Sequence, residues 1–237
     1  LCVGLAHLGI GEGDRVTLYS HNCWEWIVSY YAIAKLGAVS NPINVMLTPE
    51  EVLFIVKDCG AKAMLASQDR GTALLDLCSD SPLESIILFG GSVPRPARSF
   101  ETLIQESRDE QPPRQTAAGD ALASIMYTSG TTGHPKGAML THTNLLFNAA
   151  MTANMHVRTA ADVIVTALPL PHVYGGAVLN SSVISGASLV LLERFNESTA
   201  LEQIEQHHAT MFEGVPTMYM YLLNHPVKYW PARCFSR

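Results

Sequence analysis

Apolar and polar positions follow two different rhythms along the first part of the chain. Short apolar runs, typical of buried strands, are bounded by turn residues and occur at 14–20, 61–67 and 85–90. Other segments repeat apolar residues at helical spacing, which predicts helices at 24–36, 49–60 and 72–79. Glycine follows the first two of these helices, as Gly37 and Gly60, and is expected to end them.

Thr48-Pro49-Glu50-Glu51 predicts a sharply defined helix start. The Thr48 side chain is suited to cap the first turn, and proline is tolerated there because its missing N–H would have no helical partner. The two acids lie where the positive end of the helix dipole favours them.

The second part of the chain continues the alternation after a change of composition. Residues 90–119 are rich in proline and charge, which predicts a surface connection containing one short helix at about 100–107. Beyond it, Thr141 or Thr143 is expected to cap a long helix that ends near 156. The remaining predicted strands are 121–127, 163–168, 188–193 and 210–215, with 138–140 extended and helices at 197–207 and 216–224.

Alternating strands and helices predict an α/β fold made of layered βαβ units, with largely parallel sheets covered by helices. We expect a first α/β portion at 1–110, a connection at 111–120 and a second portion at 121–237. Residues 163–192 contain no charged side chain, yet Pro169 and Pro171 interrupt them. A membrane span needs about 20 continuous apolar residues, so we expect a strand, a loop, a helix and a strand, all buried.

Composition narrows the classes of protein. The chain has 237 residues, of which 48% are apolar and 15% charged, a balance that supports a large core and argues against disorder. Its net charge of −6 argues against a nucleic-acid partner. Five scattered cysteines without a CxxC pair indicate unpaired thiols in a reducing compartment. With no signal peptide visible, we expect a cytoplasmic protein without a membrane span, and peripheral membrane contact stays open.

Residues 127–137, YTSGTTGHPKG, have the composition of a loop that holds phosphate. Glycines let backbone N–H groups approach an anion, and hydroxyls add donors. Lys136 is the only lysine or arginine between Arg114 and Arg158. The loop differs from that of the common nucleotide triphosphatases, which need Lys followed by Ser or Thr, because Pro135 precedes Lys136 and Gly137 follows it. The candidate phosphate-binding residues are Thr128, Ser129, Gly130, Thr131, Thr132, Gly133, Lys136 and Gly137.

The string YTSGTTGHPKGAMLTHTNLL resembles the signature loop of the adenylate-forming (AMP-binding) superfamily, which includes acyl- and aryl-CoA synthetases, peptide-synthetase adenylation domains and luciferases. Further segments are similar to the large N-terminal domain of that superfamily: GEGDRV, KLGAVSNPIN, LTPEEV, LPLPHVYGG and GVPTMYMYLLNHP. The resemblance covers nearly the whole chain and is strongest to the fatty-acid–CoA ligase branch.

The resemblance implies that a carboxylate attacks the α-phosphorus of ATP, releasing pyrophosphate, and that CoA then displaces AMP to give a thioester. It assigns catalytic roles to Lys136, Thr131 and Thr132, and contact with Mg²⁺ to Thr128. His172, Tyr174 and Gly175 would line the site for a fatty or other acyl acid. By itself, a lone histidine between apolar residues, such as His172, is more often an ordinary core or turn residue than a functional one. Met218, Tyr219 and Tyr221 fit a plain core as well as an acyl site.

Several features of the superfamily are not found in this sequence: its aromatic-x-x-Thr-Glu motif, its ribose-binding aspartate and the lysine of its small C-terminal domain. We therefore expect a partial N-terminal domain, without the C-terminal domain and inactive by itself. Other interpretations are an adenylation domain that feeds a carrier protein, a luciferase-like oxidase and a noncatalytic nucleotide-binding fragment.

Overall fold

The computed structural model describes residues 1–76, 81–113, 117–128 and 135–226, which form two compact units, Leu1–Asn144 and Leu145–Arg237. This division differs from the expected one, because the strand after the 111–120 connection joins the sheet of the first portion. Among the described residues, no helix has the length and apolar character needed to cross a membrane.

The first unit is built on a sheet whose strands, in the described residues, follow the spatial order β5-β4-β3-β1-β2-β6-β7. All neighbours pair in parallel except β6 and β7, which are antiparallel. The strands are β1 (Arg15–Tyr19), β2 (Val39–Pro42), β3 (Ala63–Ser67), β4 (Ser85–Phe89), β5 (Arg98–Ser99), β6 (Leu122–Thr128) and β7 (Lys136–Thr141). The helices are α1 (Cys2–His7), α2 (Trp24–Lys35), α3 (Pro49–Cys59), α4 (Gln68–Gly71) and α5 (Phe100–Glu106).

Helix α3 shows how local sequence sets an element and its packing. Thr48 accepts a hydrogen bond from the Glu51 N–H at 3.3 Å, and Glu51 accepts one from the Thr48 N–H at 2.8 Å. At the other end, Gly60 takes a left-handed conformation, with φ 62°, which glycine adopts without strain. Between these caps, the buried face of Val52, Ile55 and Val56 packs into a cluster with β3 and β4 residues. The predicted start and end of this helix are confirmed.

Two expectations for the first unit need correction. The helix expected at 72–79 begins earlier, as α4, and continues as a short 3-10 turn at Thr72–Leu74, while residues 77–80 lie outside the described part. The 90–119 segment is more than a surface connection, because it adds β5 to the sheet and buries Phe100 and Leu103 of α5. Burial of these side chains depends on tertiary neighbours that the local composition does not reveal.

The second unit contains a parallel sheet in the order β10-β8-β9, formed by β8 (Val163–Thr166), β9 (Ser188–Leu191) and β10 (Met211–Glu213). Its helices are α7 (Val173–Ser185), α8 (Glu197–Gln206) and α9 (Pro216–Asn224), and α6 (His142–Met155) begins before the boundary between the units. Thr141, not Thr143, caps α6, since it accepts a hydrogen bond from the Asn144 N–H at 3.2 Å.

The strand, loop, helix and strand expected over 163–192 are present as β8, a loop, α7 and β9. The expectation that all of these elements are buried is wrong, because Val173, Val183 and Ile184 on α7 are about half exposed. A helix that packs on a sheet through one face leaves its other face outward, and the absence of charge did not distinguish the two faces. The α/β class with mostly parallel sheets is confirmed.

Candidate functional site

The first group of candidate residues lies at the end of the β6–β7 hairpin where the predicted phosphate loop connects the two strands. Thr128, the last residue of β6, is paired across the strands with Lys136, the first residue of β7. Opposed residues of an antiparallel pair project from the same face with Cβ atoms about 5 Å apart. The exposed Thr128 hydroxyl and the exposed Lys136 ammonium group therefore lie side by side where the chain enters and leaves the loop.

Five of the candidate phosphate-binding residues, Ser129, Gly130, Thr131, Thr132 and Gly133, lie outside the described residues. The sequence-based assignment of phosphate contacts to them stays a prediction. The structure does describe both strands that hold the ends of their loop, and these confirm that extended segments flank it on each side.

On the opposite face of the hairpin, Gly137 leaves room for the Ile125 and Tyr127 side chains to pack over it. A Cβ atom at this position would lie 2.7 Å from Ile125 Cγ2 and 3.1 Å from the Tyr127 ring. Tyr127 also donates a hydrogen bond from its hydroxyl to Asp58 at the end of α3. Burial and the neighbouring Asp58 carboxylate raise the pKa of Tyr127, so its hydroxyl stays neutral and remains a donor. Gly137 and Tyr127 thus fix the base of the loop to the body of the unit.

Side chains of β2 anchor β6 to the sheet. Ser40 donates to the Ala123 carbonyl at 3.2 Å, and the buried Asn41 amide donates to the Ile125 carbonyl at 2.9 Å. The next residue, Pro42, has no N–H to offer, so a side-chain amide extends the pairing toward the end of β6. The side-chain oxygen Oδ1 of Asn41 accepts a hydrogen bond from the Thr17 hydroxyl at 3.0 Å, which fixes the orientation of the amide. The role of Asn41 was not predicted, although the sequence showed a polar residue before proline at the end of an apolar run.

A separate group of candidate residues lies in the other unit, where α7 begins. The loop after β8 folds back on Gly175, whose added Cβ would lie 2.1 Å from the Pro169 carbonyl oxygen. His172 is the N-cap of α7, and its Nδ1 accepts a hydrogen bond from the Tyr174 N–H at 3.4 Å. An imidazole whose Nδ1 accepts a hydrogen bond carries its N–H on Nε2. The exposed His172 ring can therefore donate from Nε2 to an oxygen of a bound acid.

Tyr174 has a more structural setting than the sequence indicated. Its half-buried ring packs against a cluster of Ile164, Leu168 and Val178. Its hydroxyl donates to Glu213 Oε2 at 2.6 Å. Burial, together with the Glu213 carboxylate, raises the pKa of Tyr174, which therefore stays a neutral donor. Its assignment to the wall of an acid site stays a prediction.

A buried ionic network behind Tyr174 was missed by sequence reasoning. Glu213 is 4% exposed and forms an ion pair with Arg158, whose side chain is fully buried. Arg158 also donates to the Val178 carbonyl at 3.3 Å and to the Ser181 hydroxyl, both on α7. The available signal was a glutamate inside a short apolar strand, since a buried charge requires a partner. The partner could not be identified because it lies 55 positions away in the chain.

Thr128 is the described candidate for contact with a metal ion. Among the residues that the structure describes, there is no cluster of three or more His, Cys, Asp or Glu side chains able to hold one. Mg²⁺ commonly takes few protein ligands and completes its shell with substrate phosphates and water. An exposed hydroxyl beside the predicted phosphate loop fits that mode of binding.

Comparison with known proteins identifies the family to which this chain belongs. Residues 1–235 match the family described as AMP-binding enzyme. The chain is 31% identical to 4-coumarate–CoA ligase 1 of Solanum tuberosum, covering 96% of this chain and 42% of that protein. It is 29% identical to a long-chain-fatty-acid–CoA ligase of Bacillus subtilis strain 168, covering 92% of this chain and 44% of that protein.

The fold is similar to that of the inhibitor-bound N-terminal domain of FACL13 from Mycobacterium tuberculosis. The TM-score is 0.82 with 30% identical residues, over 95% of this chain and 56% of that domain. The chain spans less than half the length of each of the two curated relatives named above.

Proposed function

Because this chain belongs to the AMP-binding enzyme family, we propose that it is the ATP-handling part of a carboxylate–CoA ligase. The complete reaction would join a fatty or other acyl acid to CoA through an acyl-adenylate. The observation that carries this proposal is the pairing of Thr128 with Lys136 at the two ends of the Gly- and Thr-rich loop.

In the first half-reaction, an acid oxygen attacks the α-phosphorus of ATP, and the bond from that phosphorus to the pyrophosphate oxygen breaks. Negative charge accumulates on the leaving pyrophosphate, so fixed donors and cations placed there lower the barrier. We assign this role to Lys136, to the amides of the loop and to the Thr131 and Thr132 hydroxyls. Mg²⁺, held by phosphate oxygens and the Thr128 hydroxyl, would neutralise further charge.

On the acid side, we propose that His172 donates from Nε2 to the carboxylate or acyl oxygen of the substrate. Tyr174 and Gly175 would support this wall, since they shape the turn that presents the His172 ring. CoA, as the second substrate, would receive the acyl group in the other half-reaction. The expectation that this chain alone does not turn over stays a prediction, as does a cytoplasmic location.

Pyrophosphate binding to the chain tests the role of the loop directly. Calorimetric titration with pyrophosphate and Mg²⁺ should give a measurable dissociation constant for the wild-type chain. Lys136→Ala should weaken binding by roughly 10- to 100-fold, the usual effect of losing a charge-assisted hydrogen bond. Lys35→Ala is the matched control, since Lys35 is also exposed but ends α2, and it should change the constant less than about twofold.

An equal loss in the two lysine variants would reduce the effect to net charge and refute the assignment of Lys136. An ATP–pyrophosphate exchange assay with a panel of fatty and aryl acids then tests turnover. Robust exchange by the isolated chain would contradict its expected inactivity.

A further inference from the structure

The buried Glu213 side chain is shared between two elements of the second unit. It projects from β10, and its two carboxylate oxygens have different partners. Oε1 pairs with Arg158, and the His156 Nδ1 atom lies 3.6 Å from the same oxygen. Oε2 accepts the hydrogen bond of the Tyr174 hydroxyl at 2.6 Å. One carboxylate thus joins the end of α6 to the start of α7.

The Glu213 backbone is held as firmly as its side chain. The Thr166 hydroxyl on β8 donates to the Glu213 carbonyl at 2.8 Å, in addition to the parallel pairing of β10 with β8. The carboxylate therefore projects from a strand that cannot easily shift. A fixed acceptor of this kind can hold a partner group in one orientation.

Arg158 extends the network along α7. Val157, which precedes it, has φ 52°, a conformation that a β-branched residue adopts only when its surroundings enforce it. This turn directs the Arg158 side chain inward, where it donates to Val178 and Ser181 of α7. The network therefore holds α7 at its first turn, through Tyr174, and near its middle, through Arg158.

We propose that Glu213 is a positioning residue that, by holding the Tyr174 hydroxyl and pairing with Arg158, fixes the start of α7 and so the direction of the His172 ring. The inference rests on the proposed function for its consequence in acid binding, but the structural hold can be measured independently. The Tyr174 backbone N–H donates to His172 Nδ1. A rotation of Tyr174 would therefore also move the hydrogen bond that orients the His172 imidazole.

The hydrogen bond between Tyr174 and Glu213 also bears on the class of acid that could bind beside Tyr174. The Tyr174 hydroxyl is engaged by a buried carboxylate, so it is not available as a donor to a polar group on the acid. The part of Tyr174 that remains to contact a bound acid is its partly exposed ring. We therefore expect this wall to contact an apolar part of the acid, such as an alkyl chain.

Hydrogen exchange of the chain measures the hold on α7. Tyr174→Phe removes only the hydroxyl and should accelerate exchange of the Tyr174 and Gly176 amides on the order of tenfold, with exchange in α8 unchanged. Tyr219→Phe is the matched control, because it also loses a hydroxyl that donates to a β10 residue, the Phe212 carbonyl at 2.7 Å. It should leave the α7 amides as in the wild-type chain. Wild-type exchange of α7 in Tyr174→Phe would overturn the proposal.

Glu213→Gln tests the other partner and should open the same α7 segment, and wild-type exchange there would also count against the proposal. If this variant does not fold, the Tyr174→Phe and Tyr219→Phe pair still decides the outcome.

Ligand binding separates positioning from general stability. Decanoate binding to Tyr174→Phe should be weaker than wild type by roughly three- to tenfold, while pyrophosphate binding, which depends on the other unit, should not change. Equal decanoate affinity in the two proteins would overturn the role in acid binding. If the wild-type chain binds neither pyrophosphate nor decanoate, the proposed function fails, and hydrogen exchange still determines whether Glu213 holds α7.

Discussion

Two adjacent glycines at the start of α7 should respond in opposite directions to the same substitution. An added Cβ on Gly175 would lie 2.1 Å from the Pro169 carbonyl oxygen and 2.7 Å from its carbon. Both are backbone atoms, which cannot rotate away as a side chain can. An added Cβ on Gly176 would instead lie 3.8 Å from the Leu170 carbonyl oxygen, an ordinary contact distance.

The magnitudes follow from these distances. In a helix, alanine is favoured over glycine by about 0.5–1 kcal/mol because it loses less backbone entropy on folding. Gly176→Ala should gain this amount. Forcing an extra carbon into a packed site costs about 1–3 kcal/mol, which exceeds the same gain at Gly175. Gly175→Ala should therefore lower the free energy of unfolding by about 1–2 kcal/mol, so that the two variants differ by about 1.5–3 kcal/mol.

Urea unfolding, monitored through the hydrogen exchange of the β8 amides, measures the stability of the second unit separately from that of the first. Gly176→Ala should shift the midpoint upward and Gly175→Ala downward, with the slope of each transition unchanged. The Pro169 turn should also move in Gly175→Ala, displacing His172 and weakening decanoate binding. Equal stabilities of the two alanine variants would refute the close approach of the loop to Gly175.

Two other predictions concern the first unit. Thr48→Ala should lower the free energy of unfolding of the first unit by about 1 kcal/mol, because the first turn of α3 loses its side-chain acceptor. Thr48→Ser keeps a hydroxyl and should stay near wild type in the same urea titration. Equal losses in the two variants would contradict the capping role of Thr48. Burial raises the pKa of the Cys23 and Cys59 thiols to about 11 from an ordinary value of 9.0, so peptide-resolved alkylation of the folded chain at pH 8 should be roughly 100-fold slower than in urea. The folded state favours the neutral thiols, so the stability that they contribute is fully present below pH 9.0 and is lost as pH rises toward about 11. Equal alkylation rates in the folded and the unfolded chain would contradict the raised pKa of the two thiols.

Sequence patterns predicted the elements of this fold better than their edges and environments. The strand at 163–168 is two residues shorter as β8, and the helix expected at 72–79 begins at Gln68. Short helices depend on packing more than on propensity, so their limits follow from neighbours that are distant in sequence. Phe100 and Leu103 illustrate the same limit, because their surroundings of proline and charge indicated a surface segment while the fold buries both.

For the candidate site as well, the sequence indicated the local motif, and the structure was needed for the pairing of its residues. Glycines, hydroxyls and Lys136 occur within eleven consecutive residues, so the sequence alone was sufficient to indicate a phosphate loop and the family. The antiparallel pairing of Thr128 with Lys136 required the sheet, since adjacent segments can pair in more than one register. The residues that lie outside the described part keep their predicted roles as predictions.

The sequence by itself determined the features whose physical causes are local. Thr48, Pro49, Glu51 and Gly60 define α3 because each cap bonds backbone groups only a few residues away. Tertiary structure alone decided the partnership of Arg158, Glu213 and Tyr174, which come from different elements. A buried charge must find its counter-charge wherever the fold brings one close, and the linear pattern of apolar and polar residues carries no record of that pairing.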